Sequence, residues 1–212
     1  MLTFPVFAAT YDIQITAPKG FYSYKSGQSA DSTAKILGMT EAELENYCNE
    51  NGIVFIAANK DNTKQIRVCV TESEFSSSIG NLSNLSDDKI TALIPDITGS
   101  VGGELLEKNG QRFIKTSENL TDSGGGYSVI NYVTAAAKKD YVLSFYTALG
   151  TDTRYAEEVF GSFSSADFYK ESDEKGYFVY VIIAAMLLLV LGSAYIIFTL
   201  VRDIKNDRKD NT

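Results

Sequence analysis

Ser86-Asp87-Asp88-Lys89 has the Ser-x-x-Lys spacing that places a serine at the start of a helix, one turn from a lysine able to take its proton. The companion motifs of that chemistry, S-D-N and K-T-G, do not accompany it. Lys115-Thr116-Ser117 is the nearest run, and capping a helix already accounts for Ser86. Asp122-Ser123-Gly124 has the form of an aspartic-peptidase loop, where two like-charged carboxylates share a proton. A single copy would need a dimer to supply the second carboxylate, and Thr121 with Gly125-Gly126 reads as a turn between strands. A membrane-tethered hydrolase working through Asp122 is the enzymatic alternative.

The 212 residues include no histidine, which removes the usual proton shuttle near neutral pH and the commonest metal ligand. Glycines in GSVGGE and SGGGY lack phosphate-loop spacing, and Asp61-Asn62 does not extend into a calcium loop, so neither cofactor nor metal is expected. Cys48 and Cys69 are too few for a disulfide framework. They form one bridge if the domain is exported, or pack as two buried thiols. Asn81, Asn84 and Asn119 each open an N-x-S/T triplet, which matters only in a glycosylating host. Lys and Arg number 19 against 27 Asp and Glu; before Arg202 the counts are 15 and 24, a net −9. An acidic domain with no basic stripe repels phosphate backbones, which argues against nucleic acid as a partner.

The elements that would position these residues follow from local pattern. YDIQITA alternates, and Pro18-Lys19-Gly20 turns the chain into a second strand, FYSY. Thr40 with Glu43 forms a capping box for a helix carrying Leu44, Tyr47 and Cys48 on one face, stopped by Asn51-Gly52. Ile53 to Ala58 and QIRVCVT pair across KDNTK, with Ile66, Val68 and Val70 inward and Arg67 and Cys69 on the opposite face. Ser86 starts a second helix that Pro95 ends. GELLEKNGQRFIK turns at Asn109-Gly110, and YSVINYVTA pairs with YVLSFYTAL across AAKKD. Thr153 to Phe163 closes the domain as a helix with Ala156, Val159, Phe160 and Phe163 in one stripe. Hairpins with helices between them imply an α+β fold, an α/β/α sandwich with a mainly antiparallel sheet, over residues 10–165.

Residues 166–176 read as a linker. Tyr177 to Val201 then runs 25 residues without a charge, about 37 Å as a helix against a hydrocarbon core of about 30 Å. This predicts one C-terminal transmembrane helix in contact with membrane lipid. Tyr177, Phe178 and Tyr180 suit one interface, Leu188 falls mid-span, and Val201 closes it. Arg202, Lys205, Arg208 and Lys209 form a basic tail over 202–212 that points to the cytoplasm and places the large domain outside. Residues 1–9, with Val6-Phe7-Ala8-Ala9, read as the remnant of a signal peptide; without one, the protein would be a tail-anchored, cytosol-facing scaffold. Gly192-Ser193-Ala194, with Ala185 one heptad earlier, would let two anchors pack as a homo-oligomer.

The order YDIQITAP, LGMTEAELENYCNENGIVFIAANKDNTKQIRVCV and YSVINYVTAAAKKDYVLSFYT, over residues 11–165, resembles the PsbP/Mog1-like superfamily, which includes bacterial envelope proteins of the DcrB and LpqN kind. The resemblance implies an α/β/α sandwich used as a non-catalytic binding or accessory module. The C-terminal anchor departs from that pattern. Together these readings anticipate a single-pass plasma-membrane protein of the cell envelope whose partner is another envelope protein.

Overall fold

The computed structural model describes residues 12–99, 102–122 and 125–169. They belong to the first of two units into which the chain divides, Met1–Lys170; the second is Glu171–Thr212. The expected signal remnant (1–9), membrane helix (177–201) and basic tail (202–212) lie outside the described residues. Among the described residues, no helix is long and apolar enough to cross a membrane.

The elements in chain order are β1 (Ile13–Gln14), β2 (Phe21–Lys25), α1 (Asp31–Leu37), α2 (Glu41–Glu50), β3 (Ile53–Asn59), β4 (Lys64–Thr71) and α3 (Glu74–Ile79). A 3-10 turn (Leu82–Asn84), α4 (Asp87–Thr98), β5 (Glu104–Lys108), β6 (Gln111–Asp122), β7 (Gly125–Ala136) and β8 (Lys139–Ala148) follow. The body closes with α5 (Tyr155–Ser162), β9 (Ser164–Ser165) and a second 3-10 turn (Ala166–Tyr169). Seven strands form one sheet in the order β2-β3-β4-β8-β7-β6-β5, every neighbouring pair antiparallel, and β1 pairs with β9 apart from it. The fold is therefore mixed α+β around a mainly antiparallel sheet.

The alternation of β4 sends Ile66, Val68 and Val70 to one face, where they join Phe55, Phe113, Tyr132, Leu143 and Phe145 beneath Ala156 and Val159 of α5. Phe160 of α5 stacks on Tyr132 with centroids 3.9 Å apart, and Phe113 meets its edge at 5.0 Å. Each such buried ring contributes about 1.5–3 kcal/mol of apolar transfer, so this face supplies the larger share of the core. The opposite face carries two separate layers. Leu44 and Cys48 of α2 and Ala34 of α1 cover Tyr24, Ile53 and Ile56 at one end. Leu82, Ile90 and Ile94 cover Ile114 and Ala135 at the other.

Two of the hairpin turns carry left-handed backbone at both central residues. Asn109-Gly110, with φ of 52° and 80°, is a residue pair suited to that geometry. Ala137-Lys138 adopts nearly the same angles, 50° and 65°, with side chains that disfavour them. α3 and its C-terminal cap grip this turn: Ser76 Oγ donates to the Lys138 carbonyl at 3.0 Å, and the Lys138 N–H donates to the Gly80 carbonyl at 3.1 Å.

Four sequence expectations are corrected. Between FYSY and Thr40, where the sequence pattern places no element, lies α1, whose first free N–H, at Ala30, is satisfied by Glu41 Oε1 of the next helix at 2.7 Å. α4 continues past Pro95 to Thr98 and stops at Gly99 in a left-handed cap, because the proline forfeits only the bond toward the Thr91 carbonyl while the Gly99 N–H still reaches the Pro95 carbonyl at 2.9 Å. Among the described residues of YDIQITA, only Ile13 and Gln14 pair. The linker read over 166–176 begins too early, since Ala166–Tyr169 is folded onto the body. Asp167 is buried and accepts from Tyr141 Oη at 2.5 Å and Lys139 Nζ at 3.0 Å, while Phe168 packs edge-on against Tyr141 and Phe113. Nearby, Lys108 Nζ donates to the carbonyls of Phe160 and Phe163, holding a positive charge at the C-terminal end of α5.

Candidate functional site

Because Ile66, Val68 and Val70 point toward α5, the alternate residues Gln65, Arg67 and Cys69 must face the two-layered side. Register extends that placement across the sheet. Arg67 lies opposite Ser144 of β8, Ser144 opposite Asn131 of β7, and Asn131 opposite Thr116 of β6. A guanidinium, a hydroxyl, a carboxamide and a second hydroxyl thus form one row, spaced by the strand separation of about 4.8 Å. The α1–α2 layer and the α4 layer sit over opposite ends of this face, and the row runs between them. Arg67, Asn131 and Thr116 are half-buried, and Ser144 is 6% exposed.

Arg67 is held flat. Its Nη1 donates to Tyr47 Oη at 2.8 Å and its Nη2 to Gln65 Oε1 at 2.7 Å. The guanidinium carbon lies 4.2 Å from the Tyr146 ring centroid and 5.7 Å from that of Tyr47, so the cation is pinned against aromatic faces. Its Nε is buried without a hydrogen-bond partner. Among the described residues, Arg67 makes no ion pair, although the domain is acidic. Arg112 and Arg154, by contrast, pair with Asp87 and Asp152. Beside the row, Asn131 Nδ2 approaches Thr116 Oγ1 only at 3.4 Å, and the Ser144 hydroxyl has no protein partner among the described residues.

The cysteines flank this site as packing groups. Both are free thiols, Cys48 buried and Cys69 half-buried, and they share the α2 cluster. Burial, followed by the proximity of Cys69, pushes the Cys48 thiol up to about 11. Burial also raises Cys69, with Arg67 pulling the other way. Thiols held protonated in this manner are poor nucleophiles.

The motif candidates are not brought together. Ser86 occupies the N-cap position of α4 but makes no side-chain capping bond, and it and Lys89 are both exposed. Lys115 pairs with Glu157 of α5 at 3.5 Å and lies over the Tyr132 ring, on the face away from Thr116, so Lys115-Thr116-Ser117 does not act as one loop. Asp122 is the last residue of β6, paired with Gly125, six residues along the strand from Thr116 and so roughly 20 Å away. Asn81 is buried and accepts from the Ser83 N–H at 2.8 Å, a capping role that leaves it inaccessible. Among the described residues, no cluster of three or more metal-ligating side chains occurs. The signal for Arg67 was visible as the one charge inside QIRVCVT; its partners Tyr47, Ser144, Asn131 and Thr116 come from four other elements.

No family model matches the chain, and no curated protein matches it. Among solved structures, the fold is similar to the crystal structure of a Bacteroides thetaiotaomicron protein, at 15% identity and a TM-score of 0.45, over 75% of this chain and 47% of that one. This chain thus spans about half the length of that protein. The fold is also similar to the solution structure of cyanobacterial PsbP (CyanoP) from Synechocystis, at 13% identity and a TM-score of 0.42, over 77% of this chain and 98% of that one.

Proposed function

We propose that the protein is a single-pass, membrane-anchored binding or accessory module of the cell envelope, with a PsbP/Mog1-like domain on the outer side of the plasma membrane and no catalytic role of its own. The observation that carries the binding reading is the row of Arg67, Ser144, Asn131 and Thr116, a recognition surface with one cation held flat at its end. The uncharged run from Tyr177 to Val201 supports the anchor, and Arg202, Lys205, Arg208 and Lys209 support a cytoplasmic tail. The order of elements from Tyr11 to Ser165 supports the family placement, and the surface offers side chains suited to an envelope partner.

The test uses the full chain with a C-terminal tag. Membranes washed in alkaline carbonate retain the protein, and protease added to intact spheroplasts digests the domain while sparing the tag. Recovery in the aqueous supernatant overturns the anchor; digestion of the tag with protection of the domain overturns the orientation.

A further inference from the structure

We propose that the Arg67 row binds the free C-terminal carboxylate of an extended peptide, a reading that rests on the domain being a binding module. The guanidinium fork is planar and matches a carboxylate in two parallel hydrogen bonds. Here it is already oriented by Tyr47, Gln65 and the Tyr146 ring, so little side-chain freedom is lost when an anion docks. It makes no ion pair among the described residues; its Nε is buried and unpartnered, so an incoming anion meets the fork at its Nη nitrogens. A net charge of −9 before Arg202 disfavours multiply charged phosphates and leaves a single carboxylate as the matching anion.

Beyond Arg67, the row continues with groups that each donate and accept: the Ser144 hydroxyl, the Asn131 carboxamide and the Thr116 hydroxyl. Peptide amides have the same dual character. Three strand spacings give about 14 Å, the reach of about four extended residues. Half-buried Tyr146 and Val142 lie in the rows on either side, so a peptide would set its amides over the polar line and its side chains on the apolar margins. A sugar acid would instead press hydroxyls onto those margins.

The probe is N-acetyl-tetraalanine with a free carboxylate, titrated into full-length protein in detergent with 15N-labelled arginine. The readout is the Arg67 Nε–H resonance, assigned by its disappearance in Arg67→Lys. The expected result is a saturable shift of that resonance, with the C-terminal amide of the same peptide binding at least about tenfold more weakly. Asn131→Ala, which leaves the guanidinium in place, weakens the peptide several-fold while leaving acetate binding unchanged. Equal binding of acid and amide, no shift with either, or glucuronate binding more tightly than the peptide overturns the proposal. The readout is independent of sidedness, so its failure is distinguishable from failure of the membrane placement.

Discussion

Replacing Tyr155 by Phe removes one oxygen from the joint between α5 and the sheet. The Tyr155 hydroxyl donates to the Tyr146 carbonyl at 2.9 Å, has the Gln65 carbonyl within reach at 3.2 Å, and accepts from Thr147 Oγ1 at 3.2 Å. The ring itself would stay, since its contacts with Phe145 and Phe21 at 5.7 and 5.8 Å do not involve the oxygen. Tyr155 is 7% exposed and Thr147 1%, so water cannot replace the lost bonds freely. Leaving buried polar groups unmatched costs about 1–3 kcal/mol. About 2 kcal/mol would lower Tm by roughly 4–8 °C in a domain of this size. Burial also pushes the Tyr155 phenol up to about 12, with the Thr147 bond a smaller opposing influence, against an ordinary value near 10. The unfolded chain therefore loses this proton first. The phenol's contribution is intact below about pH 10 and declines as pH rises toward 12, by up to about 2–3 kcal/mol. Tyr132, also raised to about 12 by burial and then by Glu157 and Glu104, declines in the same window in both proteins, as Cys48 does between about 9 and 11. Thermal melts of wild type and Tyr155→Phe, followed by circular dichroism, should differ at neutral pH and converge in strong alkali. A Tm unchanged at neutral pH, or a gap that stays constant into strong alkali, refutes the reasoning.

Thr40→Ala breaks the reciprocal cap in which Glu43 N–H donates to Thr40 Oγ1 at 3.3 Å and Thr40 N–H to Glu43 Oε2 at 2.7 Å; about 1 kcal/mol is lost, which a melt registers as roughly 2–4 °C, with Thr40→Ser largely restoring it. Exchanging Ala137-Lys138 for Asn-Gly relieves left-handed strain while keeping the backbone bond to Gly80, and should raise Tm by a few degrees; a lower Tm would show that the turn is not strained. Iodoacetamide near pH 8 should alkylate Cys48 far more slowly in the folded protein than in urea, as mass spectrometry of the modified peptide would report; equal rates would contradict a buried, protonated thiol.

The elements that could be read from the sequence carry their own local signals. α2 announces itself through Thr40 and Glu43, the β5–β6 turn through Asn109-Gly110, and β4 through strict alternation. α1 and α3 were not legible because they have seven and six residues, and α1 depends on Glu41 of another helix to satisfy Ala30. The 3-10 turn after β9 reads as linker because DFYKESDEKG is polar overall; that Asp167 is buried depends on tertiary partners such as Tyr141 and Lys139, which no local pattern announces. The candidate site was half legible. Alternation places Arg67 on the face away from the main core, but joining it to Ser144 requires the β4–β8 register, which segments far apart in the chain set, before the β7–β8 and β6–β7 hairpins carry the row on to Asn131 and Thr116.

The pairing of Ile13 with Ser165 and Gln14 with Ser164 places the entry and exit of the folded body side by side. Once the Ala166–Tyr169 turn is peeled away, a load applied at these two strands would open the two-residue ribbon one bond at a time, as a zipper opens, instead of shearing the seven-stranded sheet. The same adjacency means that a covalent linker joining Asp12 to a point after Tyr169, which keeps the folded Ala166–Tyr169 turn, with new termini cut into the Lys60–Thr63 turn, should yield a permuted chain with the same core.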